Sequence, residues 1–255
     1  MSTASKGTVQ SVERAIDLLY CFTLNDYELS INDFVERTNL NRTTVFRLLN
    51  SLKVKGLITR NEQSGLYRLG LPMIGMGQIV SENIDVRKEA FPVLKQLSKE
   101  TGETVGLNII QANRRVCVEK VDGSEDIRQF VRLGYPYSLV KGASGKTLLA
   151  FCSKAFIEHA LREWEDLNNE TIDRASYFEE LDNIRSQKVA VSENDRVFGA
   201  CSISAPIFDA NKNLVAGVSL SGLSMKLTEN LKEKYTELIR DAGKKISEAM
   251  GYEWE

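Results

Sequence analysis

A single histidine, His159, and four scattered cysteines, Cys21, Cys117, Cys152 and Cys201, are all the imidazole and thiol in the 255-residue sequence. With no CxxC and one imidazole, a disulfide framework and a local zinc site are both poorly supported, and the thiols read as buried side chains. No metal and no other cofactor is expected. Beyond a lone SxxK at Ser138 to Lys141, the chain shows no assembled set of nucleophile and base, so it does not read as an enzyme. Long apolar runs are missing as well. None approaches the roughly 18 residues needed to cross a bilayer, and MSTASKGTVQ at the amino terminus lacks the hydrophobic core of a signal peptide. The expected compartment is the cytoplasm, with no membrane partner.

Net charge is nearly absent too, at −2, but the balance hides an asymmetry. Between Arg37 and Arg68 stand seven cations, Arg37, Arg42, Arg47, Lys53, Lys55, Arg60 and Arg68, against Glu62 alone, a local +6. That is an electrostatic footprint for a polyanion.

The same stretch carries a helical pattern. Ser30 reads as an N-cap, with Asp33 at the third helical position and Ile31, Phe34 and Val35 as one apolar stripe. After Thr38-Asn39-Leu40, Asn41 caps a second helix in which Val45, Leu48, Leu49 and Leu52 recur at i, i+3, i+4 and i+7, ending at Gly56. Steps of roughly 100° per residue put Thr43, Arg47 and Asn50 opposite that stripe, with Thr44 and Phe46 flanking and Arg42 in the first turn. Arg can bond guanine bidentately, Asn can bond adenine, and Thr offers a hydroxyl and a methyl, which is the chemistry of major-groove readout. Leu57 to Arg60 and Leu66 to Leu69 then alternate in polarity around the turn-rich Asn61 to Gly65. They read as a hairpin whose Arg60 and Arg68 suit phosphate. Two short helices running into a basic hairpin describe a winged helix-turn-helix. A preceding helix, Val9 to Phe22, with Val12, Ala15, Ile16, Leu19 and Phe22 at helical spacing, should pack across the pair.

From Leu71 to Asn83 the chain is mostly apolar or small. It reads as a linker helix, weakened by Gly75 and Gly77, whose Met73, Ile74, Met76 and Ile79 need a second subunit or the next domain to pack against. A helix near Val86 to Glu100 follows, then strands near Thr104 to Gln111, Arg115 to Val121 and Ile127 to Leu133, and helices between Ser144 and Lys188. Strands Val189 to Glu193, Cys201 to Phe208 and Leu214 to Ser221 come next, the last two joined as a hairpin by Asp209 to Asn213, before a long terminal helix. A mainly antiparallel sheet is the expectation. The boundaries read as residues 9–70, 71–83 and 84–255.

Two further motifs bear on chemistry. Gly142-Ala143-Ser144-Gly145-Lys146-Thr147 resembles the end of a phosphate-binding loop, but GxxxxGK[ST] requires glycine at position 140, where Val140 stands. What is left is a helix start near Ser144 whose free N–H groups and dipole can receive a small anion, or a simple turn. Ser219 and Ser221, two apart on one strand, present both hydroxyls to one side, and Ser202 and Ser204 repeat this on the neighbouring strand. They line a polar pocket or face water.

Across nearly the whole chain, from about Val9 to Tyr252, the sequence resembles the IclR family of bacterial transcriptional regulators. The resemblance rests on Val9-Gln10-Ser11-Val12-Glu13-Arg14-Ala15, the helix Thr43 to Leu52, Tyr67-Arg68-Leu69-Gly70, Ala143-Ser144-Gly145-Lys146 and Ala205-Pro206-Ile207-Phe208-Asp209, in that order and spacing. It implies an α+β, two-domain protein: an N-terminal winged helix-turn-helix, a linker helix, and a C-terminal GAF-like α/β domain that binds a small-molecule effector and oligomerises as a homodimer or dimer of dimers. It also implies a pocket made by the backbone at Ala143 and Ser144 and by Ser202, Ser219 and Ser221. Where some relatives place a carboxylate and a cysteine, this chain has Ser192 and Ser202, with Glu193 and Cys201 adjacent.

The expected function is sequence-specific binding of double-stranded DNA at a roughly palindromic operator, controlled by a small organic acid. Arg42, Thr43, Thr44, Phe46, Arg47, Asn50, Arg60 and Arg68 would be on the DNA, and Ala143, Ser144, Ser192, Glu193, Ser202, Ser219 and Ser221 at the effector. Two alternatives stay open: a phosphate-ligand-binding enzyme with the winged helix as a docking module, and a winged helix that binds protein.

Overall fold

Helix caps and one shared apolar face organise the first part of the chain. The computed structural model describes residues 8–82, 85–124 and 131–254, and the chain divides into two units, Met1–Asn83 and Ile84–Glu255. The first contains α1 (Gln10–Tyr20), α2 (Ile31–Thr38), α3 (Arg42–Val54), the hairpin β1 (Ile58–Arg60) and β2 (Tyr67–Leu69), and α4 (Pro72–Glu82). At the start of α2 the Ser30 hydroxyl accepts the Asp33 N–H while the Asp33 carboxylate accepts the Ser30 N–H, a complete capping box. The helix stops where Asn39 turns left-handed, and Asn41 then caps α3 by accepting the Thr44 N–H at 2.8 Å. Val45, Leu49 and Leu52 of α3 point into a core with Leu18, Phe34, Ile58 and Tyr67. Phe34 sits edge-on to both Phe22 and Tyr67, with centroids 5.4 and 6.1 Å apart.

α1 departs from its expected face. Ala15, Leu18 and Leu19 pack inward, whereas Val12 and Ile16 are 55% and 43% exposed. The helix carries two apolar stripes, and spacing alone does not say which one the core takes. α4 is continuous through Gly75 and Gly77, with Ile74, Met76 and Ile79 exposed.

The second unit comprises α5 (Asp85–Thr101), β3 (Thr104–Gln111), β4 (Arg114–Val121), β5 (Pro136–Tyr137), α6 (Ala143–Ala150), α7 (Lys154–Asn168), α8 (Arg174–Gln187), β6 (Ala190–Glu193), β7 (Ala200–Phe208), β8 (Leu214–Leu223) and α9 (Glu229–Ala249). Its sheet runs β5-β4-β3-β8-β7-β6, with neighbouring strands antiparallel. Of the strand expected at 127–133, residues 127–130 lie outside the described residues. Leu133 makes a lone parallel bridge to Cys117, and the short β5, which the polarity pattern did not announce, pairs with β4 instead.

Strand alternation gives the sheet two unlike faces. Val105, Leu107, Ile203, Ala205, Val218 and Leu220 form one core with residues of α5 and α9 such as Leu94 and Ile239. The opposite face carries Asn108, Arg115, Ser192, Ser202, Ser204, Ser219 and Ser221, and register puts Ser202 across from both Ser192 and Ser221, and Ser204 across from Ser219. A second apolar cluster, with Leu148, Ile157 and Leu181 of α6, α7 and α8, belongs to this unit as well.

Candidate nucleic-acid interface and ligand cavity

The outward face of α3 is built by its own core stripe: once Val45, Leu49 and Leu52 are buried, Arg42, Thr43, Phe46, Arg47 and Asn50 are exposed and Thr44 half-exposed. Arg42 donates to the Asn32 side chain of α2, which steadies it at the helix start. Arg47 has no ion-pair partner among the described residues. In the hairpin, Arg60 donates to the Gly65 carbonyl at 3.1 Å and lies 5.6 Å from the Tyr67 ring centroid. Arg68 is placed differently. It pairs with Glu28 at 2.6 Å, as Arg37 pairs with Asp26 at 3.0 Å, so two of the seven cations are matched by acids just outside the basic stretch.

In the second unit the start of α6 meets the polar sheet face. Gly142 precedes the helix at φ +79°, a conformation strained for any L side chain. A Cβ on Gly145 would stand 2.6 Å from the Leu139 carbonyl oxygen, so the helix start lies tight against the incoming chain. The Ala143 N–H donates to Ser192 Oγ at 2.9 Å and Ser202 Oγ at 3.2 Å, and the two hydroxyls are 3.0 Å apart. The Gly142 N–H donates to Asp195 at 2.8 Å. Burial alone would raise the Asp195 carboxyl, but that N–H and the Lys146 ammonium at 3.0 Å outweigh it and hold the group below its ordinary value.

Beside this start lies a small cavity of about 30 Å³, lined by Arg115, Tyr137, Ser144, Ser202, Ser219 and Ser221 among others. Arg115 is 4% exposed and has no carboxylate partner among the described residues. Its Nη1 donates to Asn108 Oδ1 at 2.6 Å, its guanidinium carbon is 4.6 Å from the Tyr137 ring centroid, and its Nε is buried with no hydrogen-bond partner. Burial first, and then the charge of Arg196, lowers the Arg115 pKa to about 10. Asn108 continues the network by donating to Ser219 Oγ at 2.9 Å. Arg196, exposed on the β6–β7 loop, stands 4.9 Å from the same Tyr137 ring.

Two family profiles match the chain: the IclR helix-turn-helix domain over residues 11–62, and the C-terminal part of the bacterial transcriptional regulator IclR over residues 78–248. The chain belongs to the IclR family. Among curated relatives of this IclR-family regulator, the HTH-type transcriptional regulator KipR of Bacillus subtilis is 31% identical over 95% of this chain and 98% of its own. XynR of Escherichia coli, described in the same words, is 29% identical over 96% and 98%. The IclR of Thermotoga maritima superposes with a TM-score of 0.75 at 29% identity, covering 95% and 99% of the two chains. An IclR homologue of Microbacterium hydrocarbonoxydans complexed with 4-hydroxybenzoate shares the fold, with a TM-score of 0.76 at 18% identity over 94% and 98%.

In this IclR-family chain, Ser144, Ser192, Ser202, Ser219 and Ser221 line one cavity. Ala143 stands beside it with its N–H already taken by the two serines. Glu193 does not belong to it. Strand alternation turns it away from Ser192, and its carboxylate pairs with Lys232 of α9 at 3.0 Å. Lys146, the lysine of the incomplete phosphate loop, is turned into ion pairs with Glu180 and Asp195. Arg115, Asn108 and Asp195 escaped the sequence reading, since long-range register and a distant loop bring them to α6. Among the described residues no group of three or more His, Cys, Asp or Glu side chains is placed to hold a metal ion, and no helix is long and apolar enough to cross a membrane.

Proposed function

We propose that this regulator reads a roughly palindromic operator through Thr43, Thr44, Arg47 and Asn50, with Phe46 beside them and Arg42, Arg60 and Arg68 on phosphate. The observation that carries the reading is the outward face of α3, where base-reading side chain types stand exposed on a capped helix. A homodimer, or a dimer of dimers, would match the operator's symmetry. Exposed apolar side chains on both α1 and α4, such as Ile16 and Ile74, support a second copy as their cover. Residues 9–70 act as the DNA-binding domain, 71–83 as the linker helix and 84–255 as the effector-binding domain, in the cytoplasm and without catalysis.

The effector is a small organic acid seated at the start of α6 near Ser144, Ser202, Ser219 and Ser221. It acts by binding the DNA-competent and DNA-incompetent arrangements with different affinity, because a ligand shifts an equilibrium only by that difference. A neighbour of the same fold that holds 4-hydroxybenzoate supports a carboxylate as the kind of ligand. The enzyme reading is weaker because Lys146 is committed to carboxylates.

Selection from a random duplex pool, followed by a salt titration of the enriched sequence, tests the reading. The expected result is one enriched, two-fold-related sequence whose affinity falls steeply as salt rises. Absence of any enriched sequence, with salt-insensitive binding, would remove DNA as the partner.

A further inference from the structure

The charge around the cavity is unbalanced. Arg115, Arg196 and Asp195 line it; Lys141 and Lys146 at the α6 start both pair with Asp195, and Lys146 pairs with Glu180 as well. Among the described residues, four cations against two anions leave a surplus of two positive charges. Both carboxylates are engaged by the lysines, so the surplus resides on the two arginines, neither of which has an ion-pair partner among the described residues.

A guanidinium buried to 4% exposure without an anion is costly to fold around, and its unpartnered Nε adds to that cost. The bond to Asn108 and the Tyr137 ring hold Arg115 in place but cancel none of its charge. The serines around it are neutral and can hydrogen-bond a ligand without altering the balance. The missing component is therefore an anion. Because the surplus sits on two separate side chains, each a planar fork that fits a carboxylate, the two negative charges belong at two points on one ligand.

We infer that the effector is a short dicarboxylate, one carboxylate on Arg115 and the other on Arg196. This rests on the reading of the cavity as the effector site. A monocarboxylate leaves one arginine unmatched, and a phosphate group concentrates both charges at one centre. The cavity of about 30 Å³ has room for on the order of one or two waters. A dicarboxylate therefore seats only as the β6–β7 loop carrying Arg196 moves aside and closes again. Arg115 is the fixed end of the site and Arg196 the movable one.

The test uses the full chain, with calorimetric titration and thermal shift against malonate, succinate and glutarate. Propionate and butyrate serve as single acids, succinamate as the same shape with one charge, and inorganic phosphate as the one-centre anion. At least one dicarboxylate should bind about tenfold or more tightly than its single-charge counterpart. Arg196→Gln, an exposed substitution, should erase that difference. Arg115→Met should abolish binding of both, and Arg115→Lys, which keeps charge without the fork, should weaken it; melting curves of each ligand-free variant establish that it is folded.

Equal affinity for succinate and succinamate, tightest binding of phosphate, an unaltered Arg196→Gln profile, or no binding by any dicarboxylate would each overturn the inference. Ser219→Ala with Ser221→Ala separates that failure from failure of the underlying reading. If single acids bind and the double variant loses them, the cavity stands and only the second charge falls. If any acid binds the double variant as it binds the original protein, the cavity itself is the wrong site.

Discussion

Arg47 and Arg115 carry the same guanidinium in opposite surroundings. On α3, Arg47 stands in water, where an unpaired charge is cheap and salt screens it. On β4, Arg115 is enclosed, lacks an acid among the described residues, and is held by an amide oxygen and an aromatic ring. The first arrangement suits a partner that brings many charges and is met at a surface; the second suits a partner that brings few and must be enclosed. The comparison teaches that the expensive cation is the more selective one, because desolvation makes an ill-fitting partner costly.

If the two regions keep their jobs apart, damage to one should spare the other. The largest expected effect is that of Phe34→Ala, which removes the ring between Phe22 and Tyr67 and should destabilise the first unit by roughly 3–5 kcal/mol. Calorimetry should show its transition lost or lowered while acid-induced stabilisation of the second unit persists. Loss of both together would break the comparison.

Arg47→Ala should come next, weakening binding to the selected operator by roughly 1–3 kcal/mol without lowering the melting temperature. Titrations on operators altered one base pair at a time should show discrimination relaxed at one position, and unchanged discrimination would take Arg47 out of the readout set. The smallest effect is expected of Glu28→Gln. It frees Arg68 from an exposed pair contributing about 0–1 kcal/mol, so DNA affinity should rise slightly and its salt dependence steepen. A fall in affinity would mean that Glu28 holds Arg68 in its working position.

The same contrast explains what could be read from sequence. The α3 face is local: Asn41, the i, i+3, i+4 stripe and Gly56 lie within sixteen residues, and helical geometry converts their spacing into a direction. The paired serine strands were legible for the same reason, with alternation putting Ser202 and Ser204, or Ser219 and Ser221, on one side. Glu193, expected at the effector, lies outside the cavity lining, since a residue next to Ser192 on a strand faces away from it. Arg115 had no local signal, because Asn108 and Ser219 reach it only through pairing of β3 with β4 and with β8. α1 failed for another reason: it offers two apolar stripes, and only the packed core chooses between them.

The serine pair at the start of α6 has one more consequence. Ser192 and Ser202 both accept the Ala143 N–H, and of their two protons one is used in the bond between them. One O–H remains, and because either hydroxyl can be the donor of the shared bond, that proton can issue from either oxygen. A ligand at the proposed site would therefore meet a donor that can change its origin by about the width of a hydrogen bond through two hydroxyl rotations, with neither serine oxygen displaced. At the proposed site, acids differing slightly in length would meet the same donor once the β6–β7 loop has closed, with the arginines enforcing the charge.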